Sequence, residues 1–172
     1  KLISAIWGLG IVSSLFVIFG GLSIPNVDPR VFDVASRVCD GEVFEGAAEY
    51  SDSSPHPMII GNNYEWTNLL PRNWWPESID EVELVACLGD EYDEFISRCG
   101  YEMGYVFSRF QYYREIRLVR PRSGQTIASD VLAGGEPPAC PSSMTDGDKE
   151  KHGSHVGSAK VINWIKENIP SQ

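Results

Sequence analysis

From Leu2 to Leu22 the chain runs for 21 residues without a charge. As a helix rising about 1.5 Å per residue, that length matches a bilayer core of about 30 Å. A segment in hydrocarbon must satisfy its own backbone hydrogen bonds, which a helix does. The run exceeds the usual signal-peptide core of about 7–15 residues, and no Ala-x-Ala-like site follows it. The sequence therefore predicts a transmembrane anchor helix over residues 1–24 and one domain over residues 25–172. Lys1 precedes the run, while Asp28, Arg30, Asp33, Arg37, Asp40 and Glu42 follow it with a net negative charge. Basic flanks stay in the cytoplasm, so a single-pass cell-membrane topology is expected, with the domain on the extracytoplasmic side.

All 24 acidic residues and 13 of the 14 basic ones lie beyond Leu22, a net charge of −11 for that part. Such a surface excludes nucleic acid as a partner and disfavours anionic lipid. It suits an extracytoplasmic surface or the docking of a basic partner. Four cysteines, Cys39, Cys87, Cys99 and Cys140, stand far apart with no C-x-x-C pair. An even number in an oxidising compartment implies two disulfides, for which three connectivities exist. The pairing expected here is Cys87–Cys99 across adjacent strands, leaving Cys39–Cys140.

The pattern gives an α+β fold: the anchor helix, then a small domain with an antiparallel β-meander and flanking helices. Asp28-Pro29 is an N-cap with proline at the first helical position. Val31, Val34, Ala35 and Val38 then recur at helical spacing. Strands are expected over residues 57–61, 82–88, 94–101, 107–120 and 126–132. Asp90, Glu91, Asp93 and Glu94 are placed on an exposed turn between the second and third of these. Residues 142–157 are polar and irregular. A last helix over about 156–169 carries Val161, Ile162, Ile165 and Ile169 on one stripe, and Pro170 stops it.

The order Val38-Cys-Asp-Gly41, Ala47-Ala-Glu-Tyr50, His56-Pro57, Leu84-Val-Ala-Cys87, Cys99-Gly-Tyr101, an Arg-Ser-Gly-Gln hairpin and Gly135-Glu-Pro-Pro-Ala-Cys-Pro141 resembles a family of uncharacterised bacterial extracytoplasmic domains. The resemblance covers about residues 32–169. It implies an envelope location behind a signal or anchor, and no particular activity.

Residues that carry chemistry are sparse. His56, His152 and His155 are the only histidines. His152 and His155 are weak metal candidates, with Asp146, Asp148 or Glu150 as a further ligand. Asp146-Gly-Asp148-Lys-Glu150 shares its first positions with a calcium loop but has Lys151 where the sharp-turn glycine belongs. There is no Gly-x-Ser-x-Gly and no glycine-rich phosphate loop. No cofactor is expected. Ser4, Gly8, Gly10 and Ser14 make small-xxx-small pairs in the apolar run, a surface for another membrane helix. Trp66, Trp74 and Trp75 supply aromatic contact candidates outside it. These features predict a non-catalytic structural or accessory subunit of a larger membrane assembly. Its partners would be other membrane protein subunits, and the bilayer through residues 2–22. The alternative is a free-standing membrane-anchored binding module.

Overall fold

The computed structural model describes residues 28–169, except 52, 54, 62, 145 and 148. Helix α1 (Pro29–Cys39) starts where Asp28 accepts the Arg30 N–H at 2.9 Å, with Pro29 in the first turn. It buries Val31, Ala35 and Val38, the stripe that its helical spacing dictates. Asp40 caps it, and Gly41 follows at φ 99°, a conformation that glycine adopts without strain. Strand β1 (Met58–Ile60) leads into a short helix α2 (Tyr64–Thr67) and two 3-10 turns, Arg72–Trp74 and Ile79–Glu81. Three long strands follow: β2 (Leu84–Gly100), β3 (Val106–Arg120) and β4 (Gln125–Ala133). A short β5 (Lys149–His152) and helix α3 (Ser158–Asn168) complete the described chain.

The sheet runs β1-β2-β3-β4, with β5 beside the outer end of β3, and it curls into a half-barrel. β2, β3 and β4 are antiparallel, but β1 is parallel to β2 and β5 is parallel to β3. This corrects the expected antiparallel meander: the sheet is mixed and the helices are few. The expected anchor helix, with Ser4, Gly8, Gly10 and Ser14, falls on residues outside the described ones. Among the described residues no helix is long and apolar enough to cross a membrane.

The second correction concerns Gly89 to Glu94. The sequence suggests a turn there, yet β2 passes through without reversing. An irregularity between Leu88 and Glu91 absorbs Gly89 and Asp90, as a β-bulge does. Glu91 then sits opposite Arg114 and Tyr92 opposite Tyr113. Cys87 and Cys99 are therefore 12 residues apart on one strand, about 40 Å at the usual strand rise, and cannot pair. The disulfides are instead Cys39–Cys87 and Cys99–Cys140, with Cα separations of 5.3 and 6.0 Å.

At its inner end the sheet is covered on both faces. One core joins Leu84, Ala86, Ile116, Leu118 and Leu132 to Val161, Trp164 and Ile165 of α3. The other joins Val85, Cys87 and Val119 to Val31, Ala35 and Val38 of α1. The helices stop there, and β2 and β3 run on as a ribbon. The chain after β4 then wraps this ribbon. Residues 134–138 cross its odd-numbered face, held by Gln111 Nε2 to Gly134 O at 3.0 Å and by Arg109 to the carbonyls of Pro137 and Pro138 at 2.9 and 2.7 Å. Cys140 then bonds to Cys99, and β5 returns along the edge of β3. The two ends of this strap meet where Gly135 N–H donates to Ser154 O at 3.0 Å. A Cβ on Gly134 would strike Ser154 O, and one on Gly153 would strike Gly135 O. Glycine is required for that close backbone crossing.

Candidate functional site

On β3 the even-numbered residues share one face. Ile116 and Leu118 lie under α3, and Arg114, Tyr112 and Phe110 continue the row outward past the core. Glu91, Asp93 and Phe95 stand opposite them on β2. β5 sets His152 opposite Phe110, and the chain to α3 sets His155 over Tyr112. The rings form a continuous stack. Phe95 meets Phe110 edge-on at 5.8 Å, and His152 stacks on Phe110 at 5.0 Å and on Tyr112 at 5.3 Å. His155 stacks on Tyr112 at 4.3 Å.

An ionised carboxylate only accepts, so each imidazole donates to its own acid. His152 Nε2 lies 2.6 Å from Asp93 Oδ2, and His155 Nδ1 lies 2.6 Å from Glu91 Oε2. Glu91 Oε1 also accepts the Val156 N–H at 2.8 Å and faces Arg114 at 3.9 Å. Arg114 in turn lies over the Trp66 ring at 5.5 Å. Burial raises the Glu91 carboxyl. The Val156 N–H, the His155 imidazole and the Arg114 charge together more than offset this, and it ends below its ordinary 4.5. A folded-state pKa below the unfolded one contributes stability that is complete above the unfolded value, and this is lost as pH falls through the folded value. The expected result is a drop in stability below about pH 4.5 that Glu91→Gln lacks. The variant should also cost about 1–2 kcal/mol at pH 7, because it removes a charge-assisted bond. Urea midpoints of both proteins from pH 3 to pH 7 check this.

Each imidazole is thus engaged with a different acid. Among the described residues no group of three or more His, Cys, Asp or Glu side chains is arranged to hold a metal ion. In the loop considered for calcium, Asp146 pairs with Lys149 at 2.9 Å, while Asp148 lies outside the described residues. Trp66, Trp74 and Trp75 are half-buried and pack against the α3-side core. The Trp75 indole donates to Leu70 O at 3.1 Å, and Arg72 stacks on its ring at 5.7 Å. Their exposed neighbours are Tyr64 and Leu69.

Two further features lie elsewhere. His56 is fully buried, with Nδ1 2.9 Å from Glu83 Oε2 and its ring stacked on Tyr50 at 4.8 Å. The Ser51 N–H donates to the same Glu83, at 3.3 Å from Oε2, and its hydroxyl lies 2.9 Å from Ser53 O and 3.2 Å from Glu83 Oε1. Serine and histidine therefore both bond the acid and not each other, which is not the order that nucleophile activation needs. On the α1 side, a groove of about 800 Å³ opens beyond the helix, lined by Asp40, Asp90, Glu115, Arg117, Asp130 and the Cys39–Cys87 disulfide. Arg117 crosses it to donate to Cys39 O.

The acidic run Asp90 to Glu94 carries the site, although its composition is that of an exposed turn. The available signal was the even-numbered row Phe110, Tyr112, Arg114, Ile116, Leu118, whose outer members need partners on the adjacent strand.

No protein-family model matches the chain, and no curated protein or solved structure matches it.

Proposed function

We propose that this chain is a non-catalytic accessory subunit of a larger assembly at the extracytoplasmic face of a cell membrane. The apolar run over residues 2–22 would bring it to the bilayer and to other membrane subunits, and the outer part of β2 would dock them. One observation carries the docking reading. Phe95 and Ile96 are 52% and 41% exposed as neighbours on one strand, and Tyr92, on the opposite face of the ribbon, is 40% exposed. Exposed aromatic and large apolar side chains are the ones that most often anchor protein interfaces. Among the described residues no strand pairs with the outer edge of β2 beyond Ala86. The acids interleaved there discourage strand-on-strand aggregation and leave the side chains as the contact. The two disulfides support an oxidising compartment. The non-catalytic part is supported by the arrangement at Glu83, where Ser51 and His56 both bond the acid and not each other.

The test is mild-detergent purification of the native protein beside Phe95→Asp/Ile96→Asp. Partners in fixed stoichiometry are expected with the native chain. Their loss is expected with the variant, whose circular dichroism should be unchanged. Two hot-spot losses of about 2 kcal/mol each correspond to roughly 30-fold weaker binding per residue. Purification of the native chain alone favours a free-standing binding module instead.

A further inference from the structure

The two disulfides stand in opposite surroundings. Cys87 is buried, and the Cys39–Cys87 bond sits in the groove beside Asp40, Asp90 and Glu115, with Arg117 the one cation among the described residues that line it. Negative charge repels an incoming thiolate and destabilises a departing one. Cys140 is exposed at the outer end of the ribbon. Its partner Cys99 lies opposite Phe107 of β3, which in turn lies opposite Lys149 of β5. Arg109 and Lys151 share that odd-numbered face, and Asp146 there is paired to Lys149. Positive neighbours lower a thiol's pKa and stabilise the thiolate that leaves.

We propose that Cys99–Cys140 is a redox-labile clasp. A dithiol reductant opens it before Cys39–Cys87, and its opening releases the 134–144 strap from the ribbon. In the first step a reductant thiolate attacks Sγ of the exposed Cys140. The S–S bond breaks, a mixed disulfide forms, and Cys99 leaves as a thiolate. The reductant's second thiolate attacks the mixed disulfide, and Cys140 leaves. The reductant ends as a disulfide, and its two protons end on the two cysteines, so one two-electron oxidation balances one two-electron reduction. Without the bond, the ties of the strap tip among the described residues include Arg109 to the Pro137 and Pro138 carbonyls, the Tyr101 hydroxyl to Pro141 O at 2.7 Å and Asp146 to Lys149. β5 has four residues, and its anchorage to the outer ribbon loosens with the strap. This inference does not depend on the docking surface.

The test is stepwise reduction of the folded, full-length protein with dithiothreitol. At each step, alkylation with mass mapping is followed by amide hydrogen exchange. Cys99 and Cys140 should be alkylated at about tenfold lower dithiothreitol than Cys39 and Cys87. Exchange should rise at least about tenfold over residues 106–110 and 149–152 and stay unchanged at 84–86. Cys99→Ser/Cys140→Ser should show the same exchange pattern without reductant; should it fail to fold, the native titration still decides. Opening of Cys39–Cys87 first or simultaneously overturns the proposal. Opening of Cys99–Cys140 with no change in exchange overturns it as well.

Discussion

Replacing Cys39 and Cys87 together by serine is expected to lower the unfolding free energy by about 4 kcal/mol. The bond joins residues 48 apart in sequence. In the chain-entropy account, a loop of that length contributes about 4 kcal/mol by restricting the unfolded chain. The surroundings add to this. Cys87 packs with Val38, Val85 and Val119 in the α1-side core, where a serine hydroxyl lacks the sulfur's contacts. The bond also fixes the last turn of α1 to β2, next to the Cys39 carbonyl that Arg117 holds. Guanidinium unfolding of the native and doubly substituted proteins measures the difference. A loss under about 1 kcal/mol would mean that α1 docks without its covalent tie.

The second large effect is expected at Trp164. Its side chain is 7% exposed and belongs to the α3-side core with Ile116, Leu118 and Leu132. Its indole N–H donates to Asp130 Oδ2 on β4 at 3.1 Å. Trp164→Ala should cost about 4 kcal/mol, combining lost apolar burial with the cavity left behind. Trp164→Phe keeps most of the ring and loses the hydrogen bond, so it should cost about 1–2 kcal/mol. Equal losses for the two variants would place the energy in the hydrogen bond and not in the packing.

The helices were legible in the sequence because their signals are local. Asp28-Pro29 caps α1, and the stripe Val161, Ile162, Ile165, Ile169 is buried in and just after α3. The β3–β4 hairpin was legible for the same reason, through period-two alternation and the turn at Pro121 to Gly124. What was not legible is non-local. Asp90 to Glu94 has the composition of a turn, and only pairing with Tyr112, Tyr113 and Arg114 keeps it extended. Lys149 to His152 has no strand pattern of its own, and Phe107 to Phe110 supply its register. The parallel pairing of β1 with β2 joins residues 26 apart through irregular chain, for which no local pattern speaks. The disulfide expectation failed through the same turn: once β2 is continuous, Cys87 and Cys99 lie at opposite ends of a strand. The histidines stand out in the sequence, but the composition around Glu91 and Asp93 points those acids to solvent.

The most direct measurement of the docking claim is photo-crosslinking in the native membrane, with a photoreactive amino acid at position 96 and, separately, at position 122. Ile96 lies on the outer ribbon, and Arg122 lies on the β3–β4 turn at the other end of the sheet. A discrete protein adduct from position 96 and none from position 122 is the expected result. Adducts from position 122 alone, or none from position 96 while the native chain still co-purifies with partners, would contradict it.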